Sequence, residues 1–153
     1  MKRHFGPLLS ALIVLLGLAA AGASAQGALR PTPSDALGPF YKPGAPVRSS
    51  VGQGYLLAGR VLSSRDGSVL PGAVLELWLA GPDGDYTDEY RATVIADAAG
   101  RYRFTSHLPV PYAGRPPHIH LRVSASGHDT LVTQHYPQRG RREAVFDLVL
   151  RAE

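Results

Sequence analysis

The 153-residue chain contains no cysteine, which excludes disulfide staples and thiolate metal sites. Any metal it holds must be bound through oxygen and nitrogen. It also lacks a long Lys/Arg run of the kind that tracks a phosphate backbone. Arg139-Gly140-Arg141-Arg142 is the one basic cluster, and its glycine marks a solvated turn, so nucleic acid is not expected as a partner. Beyond the first 25 residues there is no apolar run long enough to cross a membrane. No 3.6-residue apolar stripe is found there either, which argues against helical bundles and βαβ units.

What is present begins with an N-terminal leader. Lys2 and Arg3 precede an apolar run from Leu8 to Gly22, followed by Ala23-Ser24-Ala25. This order predicts a signal peptide over residues 1–25, cleaved before Gln26, and hence an exported protein (periplasmic or extracellular) with no membrane attachment after cleavage. The run is short for a membrane span and no charged stop follows it. Loss of Lys2 and Arg3 leaves 14 basic side chains against 12 acidic ones, a net charge of +2. Oligomeric state is not legible in the sequence.

Residues 26–53 are rich in proline and glycine and read as an extended N-terminal arm, with Leu37, Phe40 and Tyr41 as candidate anchors. From residue 54 to 153 the pattern changes to short apolar runs: Tyr55–Leu62, Ala73–Ala80, Ala92–Ala96, Arg101–Thr105, His118–Ala125, Thr130–Gln134 and Ala144–Leu150. Turn sequences such as Leu70-Pro71-Gly72 and Gly81-Pro82-Asp83-Gly84 separate them. Seven to eight short strands at this spacing predict an all-β fold, a β-sandwich over residues 54–153. In the Val74–Trp78 run, alternation puts Leu75 and Leu77 on one face and Val74, Glu76 and Trp78 on the other. In the last run, Phe146, Leu148 and Leu150 form the core side.

The chemistry concentrates in Pro109-Val110-Pro111-Tyr112-Ala113-Gly114-Arg115-Pro116-Pro117-His118-Ile119-His120. In a strand starting near His118, a period of two sends both histidines to one face with Cα atoms roughly 7 Å apart, close enough to converge on one ion. Four prolines restrict the loop that delivers Tyr112 beside them. A lone histidine on a strand is more often hydrogen-bonded than ligating, and a lone tyrosine more often packs. The combination of Tyr, Arg, double Pro and HxH is much harder to explain as packing. A phenol with a pKa near 10 becomes a ligand at neutral pH only beside a strongly acidic cation, which favours Fe(III). A second tyrosine must then come from Gly84–Tyr90, folded over the same end of the sandwich. Tyr86 and Tyr90 both qualify, and spacing alone does not decide between them.

The chain resembles the intradiol ring-cleavage dioxygenases, the non-haem ferric family that includes protocatechuate 3,4-dioxygenase and catechol 1,2-dioxygenase. The resemblance runs over about residues 32–150. It rests on Leu37-Gly38-Pro39-Phe40-Tyr41, Pro71-Gly72-Ala73-Val74-Leu75-Glu76-Leu77-Trp78, Gly84-Asp85-Tyr86, Pro111-Tyr112, Arg115-Pro116-Pro117-His118-Ile119-His120 and Thr133-Gln134-His135-Tyr136. It implies a β-sandwich and a Fe(III) cofactor held by Tyr86, Tyr112, His118 and His120, with Tyr86 preferred over Tyr90. It further implies that Arg115 lies beside the bound aromatic ring, that Gln134 stands behind the ligands, and that Tyr112 takes a proton from the substrate. The implied partners are a small aromatic diol and O2, and the implied product is a muconate-type diacid. The chain departs from the large catabolic members in four ways: a shorter Tyr86–Arg101 segment, no Pro-Gly before Tyr112, no long N-terminal helical domain of the catechol 1,2-dioxygenase kind, and the leader.

Two other readings compete. A non-catalytic binding module of the transthyretin or carboxypeptidase-regulatory kind shares the Pro-Gly-Ala-x-Val and Gly-x-Tyr-x-Phe core patterns. Only Tyr86, Tyr112, Arg115, His118 and His120 distinguish the two. A hydrolytic zinc site lacks a glutamate placed as a base within the HxH run.

Overall fold

A computed structural model describes residues 27–153; the predicted signal peptide over residues 1–25 lies outside them. The elements are all strands except for one 3-10 turn at Asp88–Tyr90. They are β1 (Tyr55–Ser63), β2 (Val74–Trp78), β3 (Arg91–Ile95), β4 (Arg101–Ser106), β5 (Ile119–Ser124), β6 (Leu131–His135), β7 (Glu143–Val145) and β8 (Leu148–Leu150). Two four-stranded sheets face each other. One has the order β3-β2-β5-β6; in the other β1 lies between β4 on one side and β7 and β8 on the other. This is the predicted β-sandwich. Leu57, Val61, Leu75, Leu77, Phe104, Ile119, Leu121, Val123, Leu148 and Leu150 fill the space between the sheets, each at 1 % exposure or less. Among the described residues no helix is long and apolar enough to cross a membrane.

The last expected strand, Ala144–Leu150, is two strands. Both run parallel to β1 and keep one register along it, Ala58 beside Val145 and Val61 beside Leu148. Between them the Asp147 carboxylate accepts the Arg60 backbone N–H at 2.8 Å, so a side chain replaces a ladder acceptor and interrupts the pairing. Gly59 sits at this interruption. A Cβ there would lie 2.3 Å from the Phe146 carbonyl oxygen, so the close approach requires glycine.

The arm is laid across the outer face of the β3-β2-β5-β6 sheet. Thr32 N–H donates to Val149 and Asp35 N–H to Val132, which ties the arm to β8 and β6. Tyr41 then packs on Trp78 at 5.2 Å and its hydroxyl meets Glu76, itself paired with Arg122 at 2.7 Å. Further on, Thr93 N–H donates to Pro46, and Val51 N–H to Thr105 on the opposite sheet. Of the expected anchors, Phe40 and Tyr41 are half-buried. Leu37 is not an anchor: it stays 38 % exposed, because the positive φ of Gly38 turns the chain so that the glycine, not Leu37, meets the sheet.

Candidate metal centre

His118 and His120 leave the sheet on the same side, as the period of two requires. His120 pairs with Trp78 on β2 and Gln134 on β6. Their face is the outer one beneath the arm. The site lies at the end of the sandwich to which the sequence pointed, where Gly38, Pro39 and Phe40 of the arm and the loops carrying Tyr86 and Tyr112 cover it together. His120 lies flat on Trp78, with centroids 4.9 Å apart and planes 4° from parallel. Gly38 also presses close, and a Cβ there would come 3.1 Å from Cε1 of the His120 ring. The His118 Nδ1–H donates to the Pro116 carbonyl at 2.8 Å. That bond fixes the tautomer and leaves the lone pair on Nε2.

Three donor atoms converge. The Tyr86 hydroxyl is 3.2 Å from His118 Nε2 and 3.2 Å from His120 Nε2, and the two nitrogens are 3.1 Å apart. A point about 2 Å from all three lies just off the plane of this triangle, the distance at which imidazole and oxygen ligands hold a first-row metal. The Tyr112 ring reaches the same cavity from the loop. It meets Tyr86 edge-on at 5.1 Å, and it lines this cavity of about 140 Å³ with Phe40, Arg115 and both histidines. Tyr90 does not reach this place. Its ring fills the space beside Gly81, where a Cβ would come within 2.2 Å, and packs against His107 at 5.1 Å. Tyr86 is instead held by Phe40, stacked at 4.3 Å.

Tyr112 and Arg115 are paired by a tight turn, Tyr112-Ala113-Gly114-Arg115. The Arg115 N–H donates to Tyr112 at 2.8 Å, and both central residues have positive φ, +47° at Ala113 and +78° at Gly114. This is the type I′ pattern, which sets the flanking residues opposite one another. The Arg115 guanidinium donates to Gln134 Oε1 at 2.8 Å and to the Tyr136 hydroxyl at 2.9 Å. The Tyr136 hydroxyl donates in turn to Asp35 at 2.8 Å, and Gln134 donates to the Ala36 carbonyl at 2.6 Å. In the sequence Tyr136 stands only within the Thr133–Tyr136 motif, and nothing there marks Asp35. An acid from the arm meeting a tyrosine 101 residues later leaves no local pattern.

The electrostatics suit a cation. Burial pushes the Tyr86 phenol up to about 12, with Arg115 opposing and Tyr112 reinforcing the shift. It therefore ionises at neutral pH only beside a strongly acidic metal. Burial, with His118 and Arg115 nearby, lowers His120 to about 4, so its imidazole is neutral and can ligate. Its Nδ1 is buried and meets no partner at full hydrogen-bond geometry among the described residues; the Ala36 carbonyl beside the ring opposes the shift. The described residues contain no cluster of three or more His, Cys, Asp or Glu, so this donor set depends on phenols. The residues present fit a ferric ion better than zinc, since two phenolates would offset much of a trivalent charge.

Fold and site together define a β-sandwich carrying a phenol–imidazole donor cluster on one covered sheet face. The family model described as Dioxygenase (Dioxygenase_C) matches residues 45–149. The chain belongs to this family, that of the intradiol dioxygenases. The chlorocatechol 1,2-dioxygenase of Pseudomonas putida is 31 % identical over 68 % of this chain and 53 % of its own length. The catechol 1,2-dioxygenase of Candida albicans is 32 % identical over 88 % of this chain and 56 % of its own. The chain thus spans about half the length of the curated relatives it matches. Among solved structures, the dioxygenase domain of a dioxygenase carbohydrate-binding protein fusion from Streptomyces sp. SirexAA-E superposes with a TM-score of 0.72 at 28 % identity. That match covers 81 % of this chain and all of that domain.

Proposed function

We propose that this chain is a non-haem ferric intradiol dioxygenase, exported after removal of residues 1–25. Its reaction opens a catechol-type ring with O2 between the two hydroxylated carbons, giving a muconate-type diacid. Tyr86, Tyr112, His118 and His120 are the ligands. The observation that carries this reading is the triangle of Tyr86 Oη and the two Nε2 atoms with edges of 3.1–3.2 Å. Family membership supports it.

When bound, ferric iron supplies an electron-poor centre that draws density from a catecholate ring and makes it reactive toward O2. The protein supplies the rest. Phe40 and Pro39 wall the cavity and limit water at the ring. Tyr112, whose side chain lines the cavity, would receive on its phenolate oxygen a proton from an incoming catechol hydroxyl. Arg115, held by Gln134 and Tyr136, presents fixed positive charge where negative charge develops on the ring.

The test is reconstitution of the full chain with Fe(III). The expected product is red to brown from phenolate-to-iron charge transfer, changes colour with catechol and consumes one O2 per ring opened. Tyr86→Phe should lose much of the colour and Tyr90→Phe should keep it. A colourless protein that takes up no iron would favour the non-catalytic binding module. Colour without O2 uptake across catechol, chlorocatechol and hydroxyquinol would remove the catalytic claim.

A further inference from the structure

A separate cavity of about 480 Å³ opens beside the ends of β6 and β7. Leu56, Ala58, Val145 and Phe146 give it an apolar lining, and His135, Arg141 and Glu143 are its ionisable groups. Its size is that of a small-molecule site.

Its most specific feature is a fixed donor. The Tyr55 hydroxyl lies 2.7 Å from His135 Nε2, and Tyr55 itself is 2 % exposed. No other acceptor for this hydroxyl exists among the described residues, so the O–H donates to Nε2. Burial raises the phenol and lowers His135 to about 4, so the imidazole is neutral at pH 7. With Nε2 accepting, its one proton sits on Nδ1. That N–H has no protein partner among the described residues, and the side chain that carries it lines the cavity. The Phe146 ring packs 5.4 Å from the imidazole. A hydrogen-bond donor, an aromatic surface and an exposed guanidinium therefore border one space.

We infer that this cavity is a second, non-catalytic ligand site that takes an aromatic carboxylate, its ring against Phe146 and Val145 and its carboxylate between His135 and Arg141. Charge complementarity at Arg141 selects an acid over a neutral aromatic, while the exposed Glu143 opposes it. Tyr136 is common to both sites: its ring borders this cavity, and its hydroxyl receives the hydrogen bond from Arg115. The site does not involve the metal ligands, so its existence is independent of the proposed ring cleavage.

The experiment is a benzoate titration of the isotope-labelled, metal-free full chain, followed by NMR. Saturable shifts are expected at Ala144, Val145 and Phe146 by about 10 mM, with benzyl alcohol producing none. Arg141→Ala should weaken binding about tenfold, and Glu143→Gln should tighten it about twofold. Both side chains are exposed, so folding is not at risk. Shifts confined to Phe40 and the Tyr112–Arg115 turn would overturn the inference, as would an affinity that neither charge variant moves. Absence of saturation would overturn it too.

Discussion

His120 lies flat on Trp78, 4° from parallel at 4.9 Å, and Gly38 approaches the Cε1 atom of the same ring. These contacts join a strand to the arm, so the ring that would ligate the metal is positioned by residues 42 and 82 places away in sequence. Replacing Gly38 by alanine sets a methyl 3.1 Å from the His120 ring and imposes φ +73° on an L-residue. We expect a loss of about 1–2 kcal/mol. Urea denaturation of the metal-free chain measures it, and iron affinity should fall as well because the ring must shift.

Ala113 offers the opposite case. It is the one non-glycine residue with positive φ among those described, at +47°. Ala113→Gly should relieve this strain and stabilise the turn by up to about 1 kcal/mol, read as a higher denaturation midpoint. A lower midpoint would mean that the strain is outweighed by the added freedom of the unfolded chain.

Gly59 carries the largest expected penalty. Gly59→Ala would drive a methyl into the Phe146 carbonyl, which also accepts the Tyr102 hydroxyl at 2.6 Å. Relief would require β7 and β8 to move away from β1. A destabilisation above about 3 kcal/mol is expected, seen as loss of cooperative unfolding or of soluble protein.

Stability should also depend on pH in a defined window. His120 and His135 both titrate near 4 in the fold, against 6.5 as free side chains. Between those values the unfolded chain binds more protons, so stability is full above about 6.5 and declines as pH falls toward 4. His120, almost fully buried, contributes on the order of 3 kcal/mol, and the half-buried His135 contributes less. Denaturation midpoints of the metal-free chain between pH 7.5 and 4.5 test this. His135→Gln should flatten the curve in part, and a profile level across this range would contradict the assignment.

Tyr136→Phe separates support of Arg115 from support of the fold. The variant removes a hydroxyl that accepts from Arg115 and donates to Asp35, on a side chain already 39 % exposed. Ring-cleavage kcat/KM should fall about tenfold, while the denaturation midpoint moves little. The loss should appear mainly in kcat, since Arg115 is proposed to act on charge that develops during reaction.

Some of this molecule is local in origin. Short runs with period two predict the sandwich, put Leu75 and Leu77 inward, and send His118 and His120 to one side, because alternation is a property of the extended backbone. The absence of thiols confines any metal ligands to oxygen and nitrogen, and tyrosine beside HxH favours an acidic cation, without reference to any fold. Other features exist only once distant segments meet. Tyr86 rather than Tyr90 faces the histidines because Phe40 stacks on the one while Gly81 leaves room for the other. The site is covered because a proline- and glycine-rich arm, without a periodic pattern of its own, lies over that end of the sheet face. The Asp35–Tyr136–Arg115 chain and the break between β7 and β8 likewise depend on contacts across the whole domain, where geometry in three dimensions, not spacing along the chain, selects the partner.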